Sequence, residues 1–132
     1  MPVPRKEGFV EMLGIVEAAG PPGEYRCDLD VLAVHQNIQG VAHGSVVGGL
    51  LDTAMGHALS GILAPNEFCG TTQISFQFLR AARPGDHLAA VGRVSRRGTR
   101  IAYLEGSCTN QRGEEVARAH GTWYVGELKS RD

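Results

Sequence analysis

The sequence predicts an α+β fold in which an antiparallel sheet curls around one long, buried helix. The stretch 41–63 carries apolar residues on most sides of a helical wheel, which is typical of a buried helix. Five other stretches alternate apolar and polar residues, as half-buried strands do. The order helix, strand, long helix and then four strands in hairpin succession favours an antiparallel sheet packed on the central helix.

Short turn signals separate the predicted elements. Residues 7–19 carry apolar side chains at helical spacing and precede Gly20-Pro21-Pro22-Gly23, so we expect a helical segment within residues 1–20. Residues 33–42 have no sustained period and are expected to form a loop before the central helix. The predicted strands are 24–31, 71–80, 87–95, 99–110 and 114–125.

Length and composition limit the classes of protein to consider. At 132 residues with 42% apolar residues, the chain fits one domain over residues 1–132. A formal net charge of -1 gives no overall reason to expect nucleic acid or an anionic membrane as a partner. The first residues lack the apolar core of a signal peptide, and ionisable residues and glycines interrupt the long apolar stretch. We therefore expect a protein without an export signal or a membrane segment.

The cysteines indicate the compartment. Cys27, Cys69 and Cys108 are odd in number, lie far apart and form no CxxC pair, so neither a disulfide framework nor a zinc site is suggested. A reducing, cytoplasmic location is expected. Catalysis by a carboxylate or a backbone N–H group, which the remaining residues suggest, needs no metal or redox cofactor.

One carboxylate in the central helix is the leading candidate for catalysis. Asp52 lies near the middle, and Ser45, Gly48, Gly49 and Gly56 recur on its face at spacings of three and four. Glycine in a helix interior costs about 1 kcal/mol relative to alanine, so this stripe indicates close approach by another backbone or a ligand. Burying a carboxylate is costly, so we expect Asp52 either to tether a neighbouring segment or to act as a general base or nucleophile.

The N-terminus of the helix offers a candidate oxyanion donor. Its first N–H groups have no intrahelical partner, so the N–H of Gly44 either polarises a substrate carbonyl or is capped in the ordinary way. Gly44 and Asp52 are separated by about 12 Å of helix, too far for one carbonyl to touch both. A site shared by two facing chains, with Gly44 from one and Asp52 from the other, resolves this difficulty.

Other polar side chains give weaker signals. His35 and His43 have no third ligand beside them, which makes a poor metal site, and a loop histidine usually bonds to the backbone. His57 points away from Asp52 on the helical wheel and is assigned to structure. Asn37 is suited to orient a carbonyl or a water, although asparagine in a loop usually serves the turn itself.

Six arginines and a single acid lie between positions 80 and 100. A charged, solvated sheet edge is one explanation, and phosphate recognition is the other, because the guanidinium group fits phosphate. No aromatic residues interleave with the arginines and no helix-turn-helix pattern is present, which favours a phosphate-bearing small molecule over nucleic acid. The arginines are Arg80, Arg83, Arg93, Arg96, Arg97 and Arg100.

Together these residues resemble a known family. Asn37, followed by His43-Gly44 and then by Asp52 within a small-residue helix, resembles the signature of hotdog-fold acyl-CoA thioesterases, in particular the phenylacetate-degradation (PaaI-like) group. The likeness covers nearly the whole chain, from the strand before the loop to the closing strands. It implies a hotdog fold and a homodimer whose sheets join, often paired as a dimer of dimers, with active sites between subunits.

The resemblance also implies a role for each candidate. Asp52 is then the catalytic carboxylate, and Gly44 the backbone donor to the thioester carbonyl. Asn37 and His43 order the loop and the attacking water, and Thr71 matches a hydroxyl residue that helps to hold that water. The candidate contacts to the phosphates of coenzyme A are Arg80, Arg96, Arg97 and Arg100.

Two positions depart from the family pattern. The family usually has a second glycine where this chain has Ser45, whose N–H is kept while its hydroxymethyl group narrows the site or adds a donor. Some relatives carry a hydroxyl residue where this chain has Gly56, which leaves Thr71 as the better candidate for holding water.

The sequence therefore predicts an acyl-CoA thioesterase that releases a free carboxylic acid and coenzyme A, with Asp52 as general base or nucleophile and Gly44 as oxyanion donor. Two alternatives stay open. One is a hotdog hydratase or dehydratase of acyl thioesters, in which His43 would act together with a carboxylate. The other is a non-catalytic module that binds acyl-CoA.

Overall fold

A computed structural model describes residues 8–129 of the chain. Six antiparallel strands form one curled sheet, and a 17-residue helix lies against one face of it. This architecture confirms the predicted fold class. The α-helices and strands in chain order are α1 (Phe9–Leu13), β1 (Val16–Glu17), β2 (Glu24–Asp30), α2 (Gly44–Ser60), β3 (Glu67–Phe78), β4 (His87–Arg97), β5 (Ile101–Thr109) and β6 (Glu115–Glu127), and a 3-10 turn at Ala33–His35 lies in the predicted loop.

The sheet has the strand order β1-β2-β4-β5-β6-β3. Strands β4, β5 and β6 follow one another as hairpins, as predicted, but β3 is not the hairpin partner of β4. It pairs instead with β6, from Glu67 opposite Glu127 to Phe78 opposite Ala117, and forms one end of the sheet. Alternation within a strand reveals that it is a strand but not which distant strand it joins, so this part of the prediction was wrong.

Helix α2 is shorter than the predicted span 41–63. Its N-cap is His43, whose Nδ1 accepts a hydrogen bond from the N–H of Ser45 at 3.0 Å. Residues 41–43 stay outside the helix because their N–H groups bond elsewhere: the N–H of Ala42 donates to the carbonyl of Ala82 at 2.7 Å, and that of His43 to the carbonyl of His35 at 2.8 Å. At its other end the helix stops at Ser60, so the helix predicted from the apolar residues was too long at both ends.

The N-terminal helix is also shorter than predicted. Among residues 8–20, Phe9–Leu13 is the helical part, because Gly14 adopts a left-handed conformation with φ 82° that ends the helix. Val16 and Glu17 then pair with β2 as the short strand β1. The part of the prediction that falls on residues 1–7 lies outside the described residues.

The core lies between α2 and the facing side of the sheet. Gly92 of β4 brings the sheet onto the helix backbone: a Cβ atom there would lie 2.5 Å from Cα of Met55, so only glycine fits. This close approach fixes the depth of the helix in the sheet. Within residues 8–129, no helix is long and apolar enough to cross a membrane. The largest fully buried side chains include Leu50, Leu51, Met55 and Leu59 of α2 and Leu29, Leu88, Leu104 and Trp123 of the sheet.

Candidate active site

A largely apolar groove runs along the N-terminal half of α2, between the helix and β3. Its volume is about 520 Å³. Four of the predicted site residues lie along it: His43, Gly44, Ser45 and Asp52. The remaining lining residues are Gly48, Gly49, Ile74, Phe76 and Phe78.

Asp52 is held by a hydroxyl group of the adjacent strand. The Oγ1 atom of Thr71 donates a hydrogen bond of 2.8 Å to Oδ1 of Asp52. We expected a buried carboxylate, but Asp52 is half-buried, because Thr71 and the groove leave one side of it open. The carboxylate is therefore accessible to a ligand in the groove, and the expected cost of complete burial does not arise.

A β-bulge is what turns Thr71 towards the helix. The register of β3 against β6 shifts between Thr71 and Gln73, so Thr71 and Ile74 lie on the same face of the sheet. With plain alternation, Thr71 would share the opposite face with Gln73. The sequence pattern gave no sign of the bulge, and Thr71 entered the prediction only through the resemblance.

The N-terminus of α2 has one free backbone donor. The N–H of Ser45 donates to the side chain of His43, and those of Val46 and Val47 donate to its carbonyl oxygen at 2.9 and 3.4 Å. Within residues 8–129, the N–H of Gly44 has no acceptor. Gly44 lies at the end of the groove, so its unpaired N–H and the positive end of the helix dipole both face a ligand there.

The loop before α2 is held in one shape by its own polar groups. Oδ1 of Asn37 accepts hydrogen bonds from the N–H groups of Gln39 and Val41, at 2.9 and 3.3 Å. His35 is buried, with 3% of its surface exposed; its Nδ1 accepts from Leu32 and its Nε2 therefore donates to the carbonyl of Leu13. Asn37 thus serves the turn and does not line the groove, whereas His43 both caps the helix and lines it.

The small-residue stripe is mostly filled by the protein itself. The ring of Phe76 lies over Gly48 and the ring of Phe78 over Gly44, where added Cβ atoms would meet them at 3.2 and 3.3 Å. Gly49 is covered in the same way by Phe9 of α1. Aromatic rings of this chain therefore make the close approach at Gly48 and Gly49, where the sequence had indicated another backbone or a ligand, and the same holds for Gly44 beside the stripe.

Gly56 is the exception in the stripe. An added Cβ atom there would have its nearest neighbour, Nε1 of Trp123, at 3.8 Å, an ordinary contact distance. Gly56 and Trp123 line a second recess of about 230 Å³, which begins on the other side of Asp52. His57 also lines this recess, although the helical wheel placed it away from Asp52; its Nε2 bonds to Glu17 at 2.9 Å.

The arginines differ in whether a carboxylate neutralises them. Arg97 makes two hydrogen bonds of 2.7 Å to Glu67, and Arg80 pairs with Glu114 at 3.1 Å. Arg96 and Arg100 are exposed and have no carboxylate partner within residues 8–129. Of the four predicted phosphate contacts, these two are available to a ligand without the loss of an ion pair.

The buried thiols are unsuited to nucleophilic chemistry. Burial raises the pKa of Cys27 to about 12 and that of Cys108 to about 12, so both stay protonated near neutral pH. Within the described part of the chain, no three histidine, cysteine or acidic residues are grouped so that they could hold a metal ion. Asp52 is thus the acidic group that lines the groove.

The curled sheet, its single long helix and the groove at Asp52 define a protein of the hotdog thioesterase fold. The sequence model of the Thioesterase superfamily matches residues 39–117, which is more than half of the chain. The chain belongs to this superfamily. The match includes Gly44, Asp52 and Thr71, and it confirms the family resemblance seen in the sequence.

Individual relatives agree with this assignment. A Deinococcus radiodurans protein named "Putative esterase" is 32% identical over 122 residues, which cover 92% of this chain and 81% of the relative. The Escherichia coli PaaI protein, from the phenylacetic acid degradation operon, has the same fold, with a TM-score of 0.83 at 24% identity over 91% of this chain and 86% of that chain. A Streptococcus mutans protein solved with bound acetyl-CoA has a TM-score of 0.79 at 25% identity, covering 88% of this chain and 91% of that chain.

Proposed function

We propose that the protein hydrolyses an acyl-CoA thioester to a free carboxylic acid and coenzyme A. Membership of the Thioesterase superfamily supports this reaction class. The acetyl-CoA bound to the Streptococcus mutans protein supports coenzyme A as the thiol part of the substrate. The observation that carries the proposal is the carboxylate of Asp52, which Thr71 holds at the side of an apolar groove that ends at a free helix N–H.

Asp52 acts directly on the thioester carbonyl carbon or on the water that attacks it. Oδ1 of Asp52 accepts the hydrogen bond from Thr71, and Oδ2 has no hydrogen-bond partner within residues 8–129. As a general base, Asp52 takes a proton from water as the new C–O bond forms, and the C–S bond then breaks to release the thiol. As a nucleophile, it forms an acyl anhydride with release of the thiol, and water then hydrolyses the anhydride. Single-turnover hydrolysis in heavy-oxygen water separates these routes, because only the second labels the carboxylate of Asp52.

Gly44 supplies the oxyanion donor to the active site of a second subunit. The two groups are about 12 Å apart along one helix, so a single carbonyl cannot reach both within one chain. Strand β3 ends the sheet, and its outer edge is available for pairing with β3 of another copy in a homodimer. In that arrangement Asn37 and His43 shape the loop that presents Gly44, while Ser45 lines the entry of the groove. Two such dimers form a tetramer.

The phosphates of coenzyme A are bound by the arginine-rich end of the β4–β5 hairpin. Arg96 and Arg100 make these contacts, because neither has to leave a carboxylate. Arg97 and Arg80 contribute mainly through the ion pairs that hold them in place.

The test is thiol release from a panel of acyl-CoA substrates by the wild-type protein and by Asp52→Asn. The variant keeps the shape of the side chain but removes the base, and a loss of about 10²- to 10⁴-fold in turnover is expected. Asp30→Asn, at an exposed surface carboxylate, is the matched control and should retain full activity.

Two results would contradict the proposal. A change in enoyl absorbance without thiol release would indicate a hydratase or dehydratase. Tight binding of acyl-CoA without turnover of any member of the panel would indicate a binding module.

A further inference from the structure

The recess beyond Asp52 differs in character from the apolar groove. It lies between the C-terminal half of α2 and the first half of β3. Asp52 lines both cavities, so they adjoin at this residue. The polar residues that line the recess are Asp52, Thr53, His57, Ser60, Cys69, Thr71 and Trp123.

The indole N–H of Trp123 faces this recess and has no partner among the described protein groups. Trp123 has only 1% of its surface exposed, and its Nε1 has no hydrogen-bond partner within residues 8–129. It is the cross-strand partner of Thr71, so the indole and the group that holds Asp52 lie side by side on the same face of the sheet. Among the described residues no fully buried side-chain N or O atom lacks a partner, so this N–H is reached by solvent from the recess, where the acceptor of a ligand can replace water.

The hydroxyl groups of the recess complement this donor. Thr53 and Ser60 both use their hydroxyl protons on helix carbonyls, those of Gly49 at 2.7 Å and Gly56 at 2.9 Å. The oxygen of Ser60 also contacts Sγ of Cys69 at 3.6 Å, so Thr53 is the residue whose oxygen lone pairs are left as acceptors. A substrate hydroxyl group, which both accepts and donates, matches a recess with one free N–H and free oxygen lone pairs.

Gly56 provides the space for such a group. Packing does not require glycine here, since an added Cβ would meet nothing closer than 3.8 Å. A glycine in a helix interior nevertheless lowers helix stability relative to alanine. The space that it leaves begins one helical turn, about 6 Å, beyond Asp52.

We infer that the recess holds the far end of the acyl group and that Gly56 and Trp123 select short acyl groups carrying a hydroxyl three to four carbons from the thioester. This inference rests on the proposed function. Gly56 sets the size of the acyl group, and the N–H of Trp123 sets its polarity.

The test compares 4-hydroxybutyryl-CoA with pentanoyl-CoA, in which a methyl group replaces the hydroxyl. We expect the wild-type protein to prefer the hydroxyl substrate about five-fold in kcat/KM, as one added hydrogen bond provides. In Trp123→Phe the preference should fall to about one, because the ring is kept and the N–H is lost. Tyr124→Phe, one residue away on the opposite face, is the matched control and should keep the wild-type ratio. A preference for pentanoyl-CoA, or an unchanged ratio in Trp123→Phe, overturns the inference.

Gly56→Ala tests the same site without altering the aromatic residue. It should lower kcat/KM for pentanoyl-CoA more than for acetyl-CoA, while the melting temperature stays the same or rises because alanine favours the helix. An equal loss for both substrates, or no loss, contradicts a role for Gly56 in acyl size.

Binding separates this inference from the proposed function. Trp123 is the single tryptophan of the chain, so its fluorescence reports the recess directly. If no substrate releases thiol, the proposed function fails, yet 4-hydroxybutyryl-CoA should still shift the Trp123 emission more than coenzyme A alone. An emission that is the same with both ligands rejects the recess as the acyl site.

Discussion

The hydroxyl of Thr71 donates a 2.8 Å hydrogen bond to Oδ1 of Asp52, joining the edge strand β3 to the middle of the central helix. The bond depends on the bulge between Thr71 and Gln73, which turns Thr71 onto the helix side of the sheet. It fixes the direction of the carboxylate and leaves Oδ2 without a partner within residues 8–129. Four predictions follow from this geometry and from the charges around it, and a fifth tests the shared site directly.

Replacing Thr71 by valine removes the hydroxyl while keeping the shape of the side chain. We expect kcat to fall about ten-fold, because one hydrogen bond to a charged group no longer orients Asp52. Thr71→Ser should restore most of the activity, which a purely packing role would not predict. Thr72→Val is the matched control, since its hydroxyl binds the carbonyl of Thr122 instead. It should lower the free energy of unfolding with little effect on kcat, and equal kcat values for the two valine variants would contradict the role of Thr71.

Replacing Gly44 by proline removes the proposed oxyanion donor with little change of backbone. Gly44 is the first residue of α2, where proline is well tolerated, and His43 already has the φ of -59° and ψ of 137° that suit a residue before proline. We expect kcat to fall about 10²- to 10³-fold, as for the loss of an oxyanion donor. Gly44→Ala adds bulk towards Phe78 but keeps the N–H, so it should retain most of the activity. Similar losses in both variants would indicate crowding and not a missing donor.

Coenzyme A recognition is tested by substrates with and without phosphates. Arg96→Ala and Arg100→Ala should each raise KM for acyl-CoA about three- to ten-fold, because a charged contact to phosphate is lost. KM for the matching acyl-pantetheine, which has no phosphates, should stay the same. Arg93→Ala is the control, since Arg93 pairs with Glu24 at 2.9 Å on another part of β4. Equal increases in KM for both substrates would place Arg96 and Arg100 outside the phosphate site.

His87 links two acids and should make stability depend on pH. Its Nδ1 bonds to Asp30 and its Nε2 to Asp28, each at 2.7 Å, which raises the pKa of His87 above its ordinary value of 6.5. The guanidinium of Arg26, with further help from His87, lowers the pKa of Asp28 below 3.8.

The direction of the pH effect follows from these two shifts. The contribution of His87 is complete below its unfolded pKa of about 6.5 and is lost as the pH rises through its higher folded pKa. The contribution of Asp28 is present above about pH 4 and is lost as the pH falls through its lower folded pKa. His87→Gln should therefore destabilise more at about pH 6 than at about pH 9, by less than about 1 kcal/mol because the pairs are exposed. Urea unfolding at both values measures this difference, and an equal effect at both would contradict it.

The sequence was sufficient for the long helix and the five longer strands, and it singled out residues that the structure places along one groove. The long apolar stretch located α2, alternation located the strands, and the position of Asp52 in a small-residue face singled out the carboxylate. These features are local, because helical and strand periodicities depend only on near neighbours. The ends of α2 were missed because long-range bonds, such as that from His43 to His35, hold residues 41–43 out of the helix.

The features that could not be predicted from the sequence are those formed by residues far apart in the chain. The pairing of β3 with β6, the bulge that turns Thr71 inwards and the rings that cover Gly44 and Gly48 have no local signal. Trp123 was also missed, although a lone tryptophan at an inward position of a strand is a signal that would have drawn attention to it.

The central claim is that each active site combines Asp52 of one chain with Gly44 of another, and subunit mixing tests it most directly. Asp52→Asn and Gly44→Pro are each expected to be almost inactive alone. If the site is shared, random exchange of the two variants makes mixed dimers with one intact site, and about a quarter of the wild-type activity should return. If the mixture stays as inactive as its components while mixed dimers are present, each site lies within a single chain and the account is wrong.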